Sequence, residues 1–148
     1  MESHKTSCLE FLTDELLMHL ATTGASGNPS VCAVEFLHDD DFTFYWRSDD
    51  TSNHSTNLVN NPHGAVAVTA LYDDGKGEGV QASGIAQKIT DPSLILTLSD
   101  HIDRKRNKEV SGDIEKQESG RSYWMFKSER LFYINESVLG YKRVEIPL

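Results

Sequence analysis

The sequence predicts a mainly β fold with flanking helices, a six- to seven-stranded antiparallel β-barrel built as a single domain over residues 1–148. Three observations predict it. Short runs of alternating apolar and polar residues recur along the chain, separated by clusters of Gly, Asn, Asp and Pro. No segment reads as a long parallel crossover, and closing an antiparallel sheet into a barrel removes the edges it would otherwise leave open. The 148 residues, 38% hydrophobic and 25% charged, suffice to bury a core without metals or disulfides. A β-sandwich is the rival architecture on pattern alone.

Taken in order, Leu9, Phe11, Leu12, Leu16 and Leu17 fall roughly at helical spacing and predict a short leading helix over 8–17, with Thr13 and Asp14 as helix-start residues midway. Leu17 to Thr23 is the first strand, and the stretch from Gly24 to Pro29 is a hairpin signal. Ser30 to Leu37 alternates Val31, Ala33 and Glu35 against Cys32, Val34 and Phe36. It closes at His38 and the Asp39-Asp40-Asp41 run before a strand over Phe42 to Arg47, so the first three strands form a meander. His54 to Asn60 is a short helix stopped by Asn61-Pro62. Strands follow at Ala65 to Tyr72 and Val80 to Ile89, joined by a Gly-rich hairpin loop. Pro92 fits the first position of a helix whose apolar face is Leu94, Ile95, Leu98 and Ile102. After a Glu- and Gly-rich loop ending at Gly120, Tyr123 to Lys127 and Leu131 to Asn135 make a last hairpin around Ser128-Glu129-Arg130.

Charge narrows the function classes. With 23 acidic against 14 basic residues the net charge is −9, which makes nucleic acid and anionic membranes poor partners. The basic cluster Arg104, Lys105, Arg106 and Lys108 is interleaved with Asp103 and Glu109 and reads as a solvated helix face. Cys8 and Cys32 stand far apart, as in a reduced cytoplasmic protein, and no signal peptide or membrane-spanning run is expected. Six histidines show no metal-ligand spacing, and the Asp39-Asp40-Asp41 run fits a solvent-facing turn better than a cation site, so no metal is expected.

The informative local feature is the polar stretch from Ser48 to Asn57, which leaves a strand and enters a helix. Free N–H groups at a helix N-terminus attract anions, Ser and Thr hydroxyls donate to phosphate oxygens, and Arg47 adds a permanent cationic donor and His54 one when protonated. The competing reading is that Thr51 or Ser52 simply caps the helix.

The order of features resembles the pyridoxamine 5′-phosphate oxidase-like FMN-binding split barrels, from about Leu17 to Asn135. Leu20-Ala21-Thr22 with Gly27-x-Pro29 is similar to that family's first strand and turn. Phe44-Tyr45-x-x-Ser48 and Ser52-x-His54-x-x-Asn57-Leu58 are similar to its strand and flavin-phosphate loop. Asn61-Pro62, Ala65-x-Ala67 and Gly84-x-Ala86 continue in register, and Leu139-Gly140-Tyr141-Lys142-Arg143 resembles a less studied bacterial subgroup. The resemblance implies a split barrel, FMN as cofactor and a homodimer with flavin in the cleft between barrels. By position, Arg47 and Ser48 would face the ribityl or phosphate end, and Ser52, Asn53 and His54 would contact phosphate. Ala33, Val34 and Glu35 would offer backbone to the ring, with Gln81 and Ser83 approaching from the side. His54 stands where many members carry a Lys, and the family's Arg- and Ser-rich substrate-binding C-terminal segment is not matched, so that specific reaction is not expected.

The resemblance thus implies an FMN-dependent oxidoreductase acting on a small molecule in the cytoplasm, with no catalytic residue assigned. Glu35 could relay a proton or simply be salt-bridged or solvent-facing. The alternatives are a non-catalytic flavin- or heme-binding or sensing barrel dimer, and a flavin-free barrel for protein association. The expected pocket walls include the variable segment between Asp100 and Arg121 and parts of the partner subunit.

Overall fold

The computed structural model describes residues 2–109 and 120–148, and one antiparallel sheet dominates it. Its strands are β1 (Leu17–Thr23), β2 (Pro29–Glu35), β3 (Leu37–His38), β4 (Thr43–Asp49), β5 (His63–Leu71), β6 (Gly77–Lys88), β7 (Arg121–Asn135) and β8 (Arg143–Glu145). The hydrogen-bonded path runs β2-β1-β5-β6-β7-β4-β3, with β8 added beside β7. β2 and β3 lie at opposite ends of that path, yet only Phe36 separates them in the chain. The sheet must therefore curl until its two ends meet, which makes a barrel with a cleft where β2 faces β4. The expected meander thus breaks at Phe36: β2 pairs with β1, and β4 pairs with β3 and β7.

Period-two alternation decides what the barrel encloses. Met18, Leu20, Val34, Phe44, Trp46, Val66, Val68, Val80, Trp124 and Phe126 are buried inside. Trp46 and Trp124 lie opposite each other on β4 and β7, with rings stacked at 6.1 Å and nearly parallel. At the β3–β4 turn the Asp39 carboxylate accepts from the backbone N–H groups of Asp41 and Thr43 and from the Tyr45 hydroxyl. The acidic run is therefore turn chemistry, as the sequence suggests.

The expected final hairpin is a single strand. β7 pairs with β6 from Trp124 to Asn135, with a bulge at which Ser83 faces Arg130, Gly84 faces Ser128, and Glu129 is the extra residue. Trp124 and Phe126 point inward before it and Leu131 and Tyr133 after it, so one added residue switches the buried parity from even to odd. Gly84 is required there, because a methyl group would run into the Lys127 carbonyl. The polar triplet mimics a turn because a bulge and a turn both interrupt alternation.

The helices cover the barrel. α1 (Glu2–Asp14) starts earlier and stops sooner than the sequence predicts; it buries Cys8, Phe11 and Leu12 and packs against β6 and β3. α2 (Asn53–Asn60) packs on β1 and β2, its Asn57 donating to Thr22 Oγ1 at 3.0 Å. α3 (Pro92–Glu109) opens as expected, with Ser93 N–H on the Asp91 carboxylate, and buries Leu98 and Ile102. The expected loop over 110–119 lies outside the described residues. A short α4 (Glu136–Leu139) and β8 follow, neither foreseen from the sequence. No described helix is long and apolar enough to cross a membrane.

Candidate functional site

The cleft between β2 and β4 brings together Ala33, Val34, Glu35, Arg47 and Ser48, five of the residues expected at the site. It has a volume of about 280 Å³, and Arg106 of α3 and Arg121 of β7 also line it. Strand alternation turns Arg47 and Asp49 out of the barrel and Ser48 inward, where it is buried. Phe36 N–H donates to Leu16 O at 3.3 Å. By antiparallel alternation Val34 also directs its peptide groups at β1, while Ala33 and Glu35 direct theirs over the cleft. β2 ends the strand path, so that edge has no ladder partner among the described residues.

Three guanidinium groups thus converge on one opening in a protein of net charge −9. Arg47 Nη2 donates to Asp103 Oδ1 at 3.2 Å and its Nη1 to the Tyr123 hydroxyl at 3.4 Å. Burial alone would lower the Arg47 pKa, but Tyr123 and Asp103 outweigh it and the net shift is upward. Arg106 Nε lies 3.3 Å from Glu35 Oε1, an ion pair in which the N–H is not aimed at the oxygen and stays unpartnered. Glu35 therefore sits salt-bridged, one of the two plainer roles expected of it. Arg121 is exposed and forms no ion pair among the described residues. Charge-assisted, planar donors of this kind select phosphate or carboxylate groups.

The loop entering α2 is tied to this cleft through Ser48. His54 Nε2 lies 2.7 Å from Ser48 Oγ and 3.2 Å from Ser52 Oγ. Burial pushes the His54 pKa below its usual value, so the imidazole is neutral at pH 7 and adds no charge. Ser52 is the N-cap of α2, its hydroxyl accepting from Ser55 N–H, and Asn53 Nδ2 donates to Ser30 Oγ at 2.9 Å. Capping, the competing reading of this loop, is therefore present. Hydrogen bonds from the Thr51 hydroxyl and N–H, with Arg121 nearby, hold the Asp49 carboxyl below its usual range.

Gln81 and Ser83 lie elsewhere. They are exposed on the outer face of β6, beside a hollow of about 360 Å³ that includes His19, Ala65 and Phe132. Two strands separate β6 from β2, so about 14 Å of sheet divides these residues from the cleft. One chain does not bring the whole expected set onto one ligand.

The reading of the basic cluster as a solvated face needs correction. Arg104 is exposed and pairs with Asp100, but Lys105 Nζ donates to Phe36 O and Arg106 enters the cleft. Arg106, Arg121 and Asp103 are site residues the sequence reading missed. The available signal was spacing: Ile95, Ser99, Ile102 and Arg106 form one stripe of α3, with the apolar residues marking the face laid on the sheet.

The family model described as pyridoxamine 5′-phosphate oxidase matches residues 5–135. Among solved structures, a heme-binding protein from Mycobacterium smegmatis superposes with a TM-score of 0.73 at 17% identity, over 99% of this chain and 57% of its own. This chain thus spans little more than half of that protein. A putative pyridoxamine 5′-phosphate oxidase from Listeria innocua gives 0.69 at 18%, over 88% and 97%. An FAD-binding protein from Mesorhizobium loti gives 0.66 at 17%, over 85% and 90%. No curated protein matches the chain. At these identities the structural likeness shows the fold.

Proposed function

This chain belongs to the pyridoxamine 5′-phosphate oxidase family, and on that premise we propose that it is a cytoplasmic FMN-binding split barrel working as an FMN-dependent oxidoreductase on a small molecule. The observation that carries the reading is the convergence of Arg47, Arg106 and Arg121 on the cleft beside the open edge of β2. The residues fit the group: guanidinium donors suit a phosphate, and the outward peptide groups of Ala33 and Glu35 suit the polar rim of a flat ring. Arg47, Arg121 and Ser48 would hold the phosphate end, with Ser52, Asn53 and His54 supporting Ser48 and the loop. Bound flavin supplies reversible two-electron chemistry, while the protein contributes position and electrostatics.

A homodimer belongs to the same proposal. Gln81 and Ser83 sit too far from their own cleft to share its ligand, so the reading assigns them to the cleft of a second copy. A monomeric mass with flavin fully bound would remove that assignment.

A second reading is favoured by the heme-binding neighbour and by the same arginines, since heme carries two carboxylates that guanidinium groups also select. On that reading the barrel binds or senses a cofactor without turnover. The spectrum of the purified protein separates the two: flavin bands with FMN released on denaturation support the first, a Soret band the second. Reduction by NADH or NADPH and reoxidation by an acceptor then tests for an enzyme. Protein that takes up neither cofactor would sink both readings.

A further inference from the structure

A second cavity lies under α3, on the other side of Arg47 and Arg121 from the cleft. It has a volume of about 550 Å³ and also borders Ile89, Ile95, Leu96 and Tyr123. Arg47 and Arg121 line both openings. The α3 stripe Ile95, Ser99, Ile102 and Arg106 roofs them in sequence, over about 16 Å of helix. The two cavities are therefore ends of one groove, divided where Arg47 reaches up to Asp103. One end is polar, with Glu35, Ser48 and Arg106; the other is walled mainly by Ile89, Pro92, Ile95 and Leu96, with Ser99, Ser122 and Tyr123 as its polar members.

We infer that the apolar end is a second ligand site, which takes a small monocarboxylate with a flat or branched apolar body. Three features select that chemistry. The volume is that of an ordinary small-molecule site. Leu96 stays 74% exposed at its rim, an apolar surface without a covering element among the described residues. Arg47 is committed to Asp103 and Tyr123, whereas Arg121 forms no ion pair among the described residues and has Asp49 opposite it across the strand pair, so one guanidinium is available beside a mainly apolar wall whose other polar groups are Ser99, Ser122 and Tyr123. A single guanidinium matches one carboxylate, while a dianionic phosphate asks for more donors and is served better at the end that Arg106 also lines. On the flavin reading this site lies beyond the phosphate end, away from the ring, and shares Arg121 with it; the binding claim itself stands without flavin.

The test uses the full chain, with 4-phenylbutyrate and its neutral amide as probes, followed by calorimetry or NMR titration. The acid is expected to bind saturably and about tenfold more tightly than the amide. Arg121→Gln should bring the acid down to the amide. Leu96→Asp should weaken both, and Thr97→Ala, on the same helix but outside the groove, should change neither. Circular dichroism checks that the exposed substitutions leave the fold intact. Absent saturable binding by the wild type, equal binding of acid and amide, or a Leu96→Asp protein that changes in oligomeric mass rather than affinity would each overturn the inference. An FMN titration of the same samples is read separately. FMN binding without acid binding refutes this site alone, and acid binding without FMN binding refutes the flavin reading alone.

Discussion

The inside of the barrel and the groove under α3 are built from the same strands, β4 and β7, and they follow opposite rules. On the inner face Phe44, Trp46, Trp124 and Phe126 are buried and packed ring against ring, with the two indole N–H groups left unpartnered. On the outer face Arg47, Asp49, Arg121 and Tyr123 are partly solvated beneath a helix that adds Asp103 and Arg106. The inner face accepts two unmet polar atoms to gain apolar burial. The outer face keeps charges half out of water, although apolar residues there would usually serve stability as well or better. That difference marks the groove as the part of the surface shaped by something other than folding.

The sharpest break of this contrast is deletion of Glu129. It is exposed and its side chain makes no hydrogen bond or ion pair among the described residues, yet its removal would drive Leu131 and Tyr133 to the wrong face of β7. Deletion should abolish folding by circular dichroism, while Glu129→Ala should stay within about 0.5 kcal/mol in chemical denaturation.

Next in size is Trp46→Ala, which should cost about 3–5 kcal/mol by cavity formation. Flavin affinity measured well below the unfolding transition should be retained.

Arg47→Met should do the reverse. Its partner Asp103 would be left half-buried and unpaired, costing about 1–2 kcal/mol because the pair is partly solvated. Adding Asp103→Leu should recover most of that stability without recovering anion binding, which a denaturation series and a ligand titration on each variant would check.

The smallest effect is acid sensitivity. Burial lowers the pKa of His54 and of His38 below the usual 6.5. The unfolded chain then takes up protons first, so this stability is present above about 6.5 and is lost as pH falls toward the lower folded-state values. The denaturation midpoint should drop between about pH 7 and 5.5, less so in a His38→Asn, His54→Asn variant.

Much of the inner face was legible because burial writes a period of two into the strands; β1 is bounded as the sequence predicts, and α3 starts where Asp91 and Pro92 place it. What was not legible lay where two structures share one pattern. Ser128-Glu129-Arg130 reads as a turn but is a bulge, and only the partner strand decides between them. β8 has three residues with a single apolar side chain, too short to announce itself. The site was half legible for the same reason. Arg47 and Ser48 follow from their strand and loop, whereas Arg106 becomes a groove residue only once α3 lies across β4, and Arg121 only once β7 pairs beside it.

The central claim, that this groove is an anion-reading flavin site, is tested most directly by titrating the apo protein with FMN and with riboflavin and following flavin fluorescence. The two ligands differ only in the phosphate. Charge-assisted contacts worth about 1.5–3 kcal/mol predict that FMN binds at least about tenfold more tightly, and that Arg47→Met with Arg121→Gln erases the difference. Equal affinities in the wild type, or a preference that survives the double substitution, would contradict it.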